Sequence, residues 1–232
     1  MECLEEKMIG ERFPSRKNRV FKISYNDGIC VAKVFHKNRI ERAKIEFEVL
    51  EICQDKGILC PIPLELMENA IIMSYIPGNN LMDVLNYLER KKSQSNSNIE
   101  TANLFDLTAK WLAEFHMATE SKLTRGDAIL KNFIISDKQI FGIDFEESLH
   151  DDALQDLGKA CAFILSLNPI FSRKRFEEAR FFSNRYWHYF GSNRSDELPN
   201  IISNELRNIS PYRDEPDQLN AWADKIKKMK EF

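Results

Sequence analysis

Three oxygen-bearing side chains fall close together in the middle of this chain: Asp127, Asn132 and Asp144. The first two lie in TRGDAILKNFIIS, where a Gly-Asp turn stands five residues ahead of the Asn and the text then runs into an apolar strand. The third closes a second apolar run, QIFGIDFEES. Carboxylates at the rims of short strands cost desolvation and contribute little to packing, so such a placement implies another use. Two carboxylates and a carboxamide oxygen are hard donors of the kind that suits Mg²⁺. A lone Gly-Asp is an ordinary turn, but three such groups on one strand pair ask for more.

Two further residue types stand out. Lys33, in VAKVF, lies inside an apolar strand, which is poor β-chemistry unless it faces a ligand or an acid. The bland alternative is an edge-strand lysine. The following helix, IERAKIEFEVLEICQD, offers Glu46, Glu48 and Glu51. Glu46 falls between the apolar positions Ala43 and Phe47 and can face the sheet, whereas Glu48 and Glu51 read as a solvated face.

The elements that must position these groups can be read along the chain. VFKISYNDGICVAKVF is a hairpin around Asn26-Asp27-Gly28, and a first strand is expected over residues 8–13, with PSRKNR as its turn. Ile40, Ala43, Phe47 and Leu50 recur at helical spacing, with Gly57 beyond as a stop. CPIPLELMENAIIMSYIPGNNL reads as strand, turn, strand, and a break at Pro77-Gly78. The order is β-β-β-α-β-β, a small antiparallel sheet with one helix. After it come a short helix over residues 81–88, a polar loop in ERKKSQSNSNIET, and a helix carrying Leu104, Leu107, Trp111, Leu112, Phe115 and Ala118. The two short strands follow. Asp156 is placed as the N-cap of DLGKACAFILSL, and the remainder reads as more helices. The expected class is α+β, with a sheet part over residues 1–76 and a mainly helical part over 77–232.

Composition narrows the classes of function. The 232 residues carry a net charge of −3 with both signs interspersed, which argues against a protein built to coat nucleic acid. No run is long and apolar enough to span a bilayer, and MECLEEKMIG has no apolar core of a secretory leader. Five cysteines without a C-x-x-C pair point away from structural zinc and towards a reduced, cytoplasmic setting.

In this order, the sheet with VAK, the helix glutamate, the Pro-Gly break, G-D-x-x-x-x-N and I-D-F resemble the protein-kinase-like superfamily. The likeness is to its small atypical members: the aminoglycoside/choline phosphotransferase group, the RIO kinases and the small kinase of the KEOPS complex. It spans residues 9–169. The resemblance implies a bilobal, ATP- and Mg²⁺- (or Mn²⁺-) dependent phosphotransferase. It makes Asp127 the residue that orients or deprotonates an acceptor hydroxyl, with Asn132 and Asp144 as metal ligands. Lys33 becomes the partner of the α- and β-phosphates, braced by Glu46. Met73 would line the adenine pocket, and Ser74 and Ile76 would offer it backbone groups. Asp156 resembles the helix acid that braces the catalytic loop. The implied acceptor is a small hydroxyl compound, a sugar of a glycolipid, or a protein Ser/Thr.

The departures are as informative. Arg125 stands where the superfamily carries His before Gly-Asp, Ile129 where protein Ser/Thr kinases carry Lys, and Glu146 at the Gly of D-F-G. The first turn, FPSRKNR, has no glycine with which to close amides over phosphates. Ser15, Arg16 and Lys17 either substitute by side-chain charge or form a solvated basic turn. Asp156 follows Asp144 by only twelve positions, too few for a phosphorylated activation segment. These departures keep a second reading open: an ATP-binding ATPase or pseudokinase subunit acting through a protein partner.

Overall fold

The computed structural model describes residues 10–91 and 97–232. Its first sheet has five antiparallel strands in the order β1-β2-β3-β5-β4. These are β1 (Arg12–Phe13), β2 (Arg19–Tyr25), β3 (Gly28–Val34), β4 (Pro63–Leu66) and β5 (Ala70–Ser74). Asn26 and Asp27, both at positive φ, turn β2 into β3, the backbone a two-residue hairpin of this twist requires. Residues opposed across a ladder share a face. The pairs Val20–Lys33, Lys33–Ile71 and Val31–Met73 therefore put Val20, Val31, Lys33, Ile71 and Met73 on one side of the sheet. Helix α1 (Ile40–Asp55) covers that side, since its Ala43, Val49 and Leu50 share a buried core with Ile71 and Met73.

The rest is helical apart from a second, three-stranded sheet. Helix α2 (Leu81–Arg90) starts at Asn80, whose side chain accepts from the Met82 N–H at 2.9 Å. Helix α3 (Ser97–Ala118) is followed by the hairpin β7 (Phe133–Ser136) and β8 (Gln139–Gly142), with β6 (Asn79–Asn80) against β7. Then come α4 (Ala153–Leu165), α5 (Arg173–Phe190), α6 (Leu198–Ile209) and α7 (Pro216–Lys227). The core runs from Trp111, Phe115, Phe133 and Phe145 beneath the hairpin to Phe105, Phe182 and Tyr186 between α3 and α5. Among the described residues no helix is long and apolar enough to cross a membrane.

The structure differs from the sequence reading in four places. Asp156 is not an N-cap. Helix α4 starts earlier, with Asp152 accepting from the Leu154 N–H at 3.0 Å, because burying Ala153 and Leu154 extends it to the preceding acid. Helix α3 starts at Ser97, well before its first strongly apolar turn, and residues 92–96 of the expected loop lie outside the described residues. Strand β1 is only two residues long, and part of the expected strand also lies outside them. The Asn-Asn strand β6 carries no alternating pattern and was not foreseeable.

Candidate active site

The Arg125–Gly126–Asp127 turn is held from below by one buried carboxylate. Asp156 on α4 accepts from the N–H of Arg125 at 2.6 Å and of Gly126 at 3.1 Å. Its Oδ2 also lies 3.1 Å from His116 Nε2, and His116 Nδ1 is 2.9 Å from the Tyr186 hydroxyl. Gly126 has φ +69°, and a Cβ there would lie 1.9 Å from the Glu147 carbonyl oxygen. Only glycine fits. Asn132, delivered by a single 3₁₀ turn (Leu130–Asn132), donates from Nδ2 to the Asp127 carbonyl at 2.9 Å and to its Oδ2 at 3.2 Å. Burial pushes the Asp127 carboxyl up from its ordinary pKa, while Asn132 and the charge of Lys159 pull it down.

Arg125 does what its sequence position concealed. It is fully buried, and its Nη2 donates to the carbonyls of Ile143 at 2.6 Å and Asn132 at 3.2 Å. The guanidinium lies 4.5–5.1 Å from the ring centres of Phe133, Phe145 and Trp111. Among the described residues Nε and Nη1 have no hydrogen-bond partner, and the rings compensate for them. Burial pulls its pKa down. One side chain thus ties the backbone of Asn132 to the residue before Asp144.

Across the cleft, Lys33 Nζ lies 2.6 Å from Glu46 Oε2, 2.5 Å from Asp144 Oδ1 and 3.2 Å from Glu146 Oε2. Of the three glutamates weighed on α1, it is Glu46 that turns inward, 1% exposed. Burial opposes the charge on Lys33, but the three carboxylates outweigh it and raise its pKa. Burial dominates at Glu46 and, against the pull of Lys33, pushes it up to about 7. One ammonium among three carboxylates leaves the most buried of them the readiest to hold a proton. Asp144 sits at φ +64°, a region non-glycine residues seldom occupy, and its side chain is 40% exposed.

Glu146 and Glu147 form a junction that the sequence reading passed over. Glu146 is buried, receives a hydrogen bond from Asn18 Nδ2, and lies 3.0 Å from Arg39 Nη2. Glu147 pairs with Lys17 at 2.8 Å, Arg39 at 2.9 Å and Arg42 at 3.5 Å. Partial burial opposes its charge, but Lys17 and Arg39 together bring its pKa down to about 2. The glycine-free turn is therefore no free basic loop: Asn18 is buried and Lys17 is engaged. The visible signal was Glu-Glu after I-D-F, facing four cations, Lys17, Lys33, Arg39 and Arg42, that are distant in sequence.

The sheet face beside Lys33 is apolar. Val20, Val31 and buried Met73 lie on it. Ser74 is committed to the ladder: its N–H donates to the Ile62 carbonyl at 2.9 Å and its Oγ accepts from the Ile62 N–H at 2.8 Å. Ile76 is half-buried in the linker, beside Tyr75, which stacks on Phe13 at 6.2 Å with Lys22 Nζ 4.5 Å from the ring centre.

The donors suit a divalent cation. Glu46, Asp144 and Glu146 each bring a carboxylate oxygen within 4.8 Å of the others. A small antiparallel sheet with one helix, a helical lobe, and this site between them define a protein-kinase-like fold. The comparisons narrow it: residues 14–181 match the RIO domain family, and the chain belongs to it. The chain is 26% identical over 159 residues to a probable bifunctional tRNA threonylcarbamoyladenosine biosynthesis protein of Methanosphaera stadtmanae, covering 67% of this chain and 27% of that one. It is 25% identical over 120 residues to a probable serine/threonine-protein kinase BUD32 homolog of Archaeoglobus fulgidus, covering 52% of each. The chain thus spans about half or less of these relatives. Among solved structures, the amicoumacin kinase hAmiN, in complex with AMP-PNP, Ca²⁺ and Ami, matches with TM-score 0.60 at 11% identity, over 96% of this chain and 88% of that one.

Proposed function

We propose that this protein is an atypical kinase that moves the γ-phosphate of Mg-ATP to a hydroxyl acceptor. The observation that carries this reading is the meeting of Lys33 and Glu46 from the sheet part with Asp144, whose loop is tied through Ile143 to Asn132 and so to Asp127. Glu46 orients Lys33 towards the α- and β-phosphates. Asp144 and Asn132 would hold the cation, which neutralises phosphate charge when bound. Asp127 orients the acceptor hydroxyl and takes its proton. Val20, Val31, Met73 and the backbone of Ser74 and Ile76 receive the base. In this reading residues 1–76 form the nucleotide lobe and 77–232 the lobe that meets the acceptor, a small molecule or a protein Ser/Thr.

The test is to incubate the protein with labelled ATP and Mg²⁺ or Mn²⁺, with and without hydroxyl acceptors, and follow the label. Asp127→Asn is expected to split the result. Nucleotide affinity stays near wild type because no phosphate contact is lost, while transfer falls by ~10²–10⁴-fold. Undiminished transfer would remove Asp127 from catalysis.

A second reading is an ATP-binding subunit that works through a protein partner. It draws on the glycine-free turn, held by side chains, and on the relative named for tRNA threonylcarbamoyladenosine biosynthesis. A wild type that binds ATP but labels neither acceptor nor water favours it.

A further inference from the structure

The catalytic loop has Ile129 where protein Ser/Thr kinases carry a lysine, so the loop itself brings no cation to that place. A lysine reaches the loop from elsewhere. Lys159 lies three residues beyond Asp156 on α4, on the same helix face. Its Nζ donates to the Gly126 carbonyl, immediately before Asp127. The two α4 side chains thus hold one turn from both polarities: Asp156 takes the N–H groups of Arg125 and Gly126, and Lys159 binds the Gly126 C=O. Among the described residues the only other polar partner of Lys159 is Glu205 on α6, at 3.9 Å, too long for a hydrogen bond. An ammonium carries three donors, and one is used here. The side chain remains 29% exposed, and its charge is felt at Asp127.

We propose that Lys159 is a catalytic residue, supplying from α4 the cation that the loop lacks and stabilising the phosphoryl group as it passes to the acceptor. The inference rests on the phosphotransferase reading. In that step a bond forms between the acceptor oxygen and the γ-phosphorus while the bond to the β–γ bridging oxygen breaks. ADP leaves with that electron pair, and the hydroxyl proton goes to Asp127. The negative charge is spread over the three equatorial oxygens, where a fixed ammonium on the acceptor side is worth most. Lys131, in the same loop, is exposed, so it is the rival cation.

The test needs no knowledge of the acceptor. Binding of Mg-ADP is measured by calorimetry on the full chain with and without aluminium fluoride, a mimic of the phosphoryl group in transfer. Wild type is expected to bind ADP more tightly with the fluoride. Lys159→Gln keeps a donor for the Gly126 carbonyl but lacks the charge. It should lose about 10²-fold of that gain with ADP affinity unchanged, and Lys159→Arg should retain most of it. Lys131→Gln should behave as wild type. An undiminished gain in Lys159→Gln overturns the proposal, as does a loss confined to Lys131→Gln. A fall in plain ADP affinity in Lys159→Gln also overturns it, because the role would then be structural. A wild type that binds ADP but gains nothing from the fluoride removes the role of Lys159 and leaves nucleotide binding standing. A wild type that does not bind Mg-ADP removes the phosphotransferase reading and this role with it.

Discussion

Glu46 and Glu147 carry opposite pH signatures, and both follow from their surroundings. Glu46 has a folded pKa near 7 against an ordinary 4.5, so folding favours its protonated form. The stability it contributes is fully present below 4.5 and is lost as pH rises through about 7. Glu147 is held near 2, so its contribution is present above 4.5 and is lost as pH falls towards 2. Urea unfolding of the nucleotide-free protein between pH 4.5 and 8 should therefore show stability falling with pH. Glu46→Gln should flatten that limb and leave the acid limb in place. A Gln variant with the wild-type slope would assign the titration to another group.

At the scale of elements, the site depends on how three short segments are clamped together. The 125–127 turn is fixed by Asp156 and Lys159 from α4, and Arg125 fixes Asn132 at the start of β7 relative to Ile143 just after β8. Gly126 lets the turn pass under the Glu147 carbonyl. Gly126→Ala combines an unfavourable φ with a clash against backbone that cannot rotate away. It is expected to cost ~2–4 kcal/mol and to abolish transfer, read by thermal melts and the labelled-ATP assay. Wild-type melting and transfer would show that the turn can slide, against the geometry. Much of this scale was legible in the sequence. The hairpin at Asn26-Asp27 announces itself by turn chemistry, and Lys33 by a charge in an apolar strand. Glu46 was separable from Glu48 and Glu51 by helical register. The start of α4 was not legible, because Asp151, Asp152 and Asp156 are all competent caps and tertiary burial of Ala153 and Leu154 chose among them. Nor was Lys159, whose role exists only once α4 lies under the loop.

At the scale of the whole molecule, the question is what holds the two lobes in register without a long activation segment. The answer is the Glu146-Glu147 pair, which belongs to the loop after β8 yet is bound by Lys17 and Asn18 from the first turn, Lys33 from β3, and Arg39 and Arg42 at the start of α1. Such a network is invisible in sequence because its partners lie more than a hundred residues away. Its two halves should differ in strength. Glu147 is a quarter exposed and pairs with Lys17, itself half in solvent, so each contact is worth ~0.2–1 kcal/mol and is screened by salt. Glu146 is 2% exposed and is shared by buried Lys33, partly exposed Arg39 and Asn18, so removing its charge weakens a buried, unscreened cluster and should cost more than loss of a surface pair. Glu147→Gln should therefore lower the melting temperature slightly, lose even that effect in high salt, and mainly speed amide exchange in residues 14–19. Glu146→Gln should lower stability several-fold more in free energy, insensitively to salt, and raise exchange in the first turn and in α1 together. Equal, salt-screened effects of the two variants would mean that the lobes are joined by surface pairs and that the buried glutamate is not their anchor.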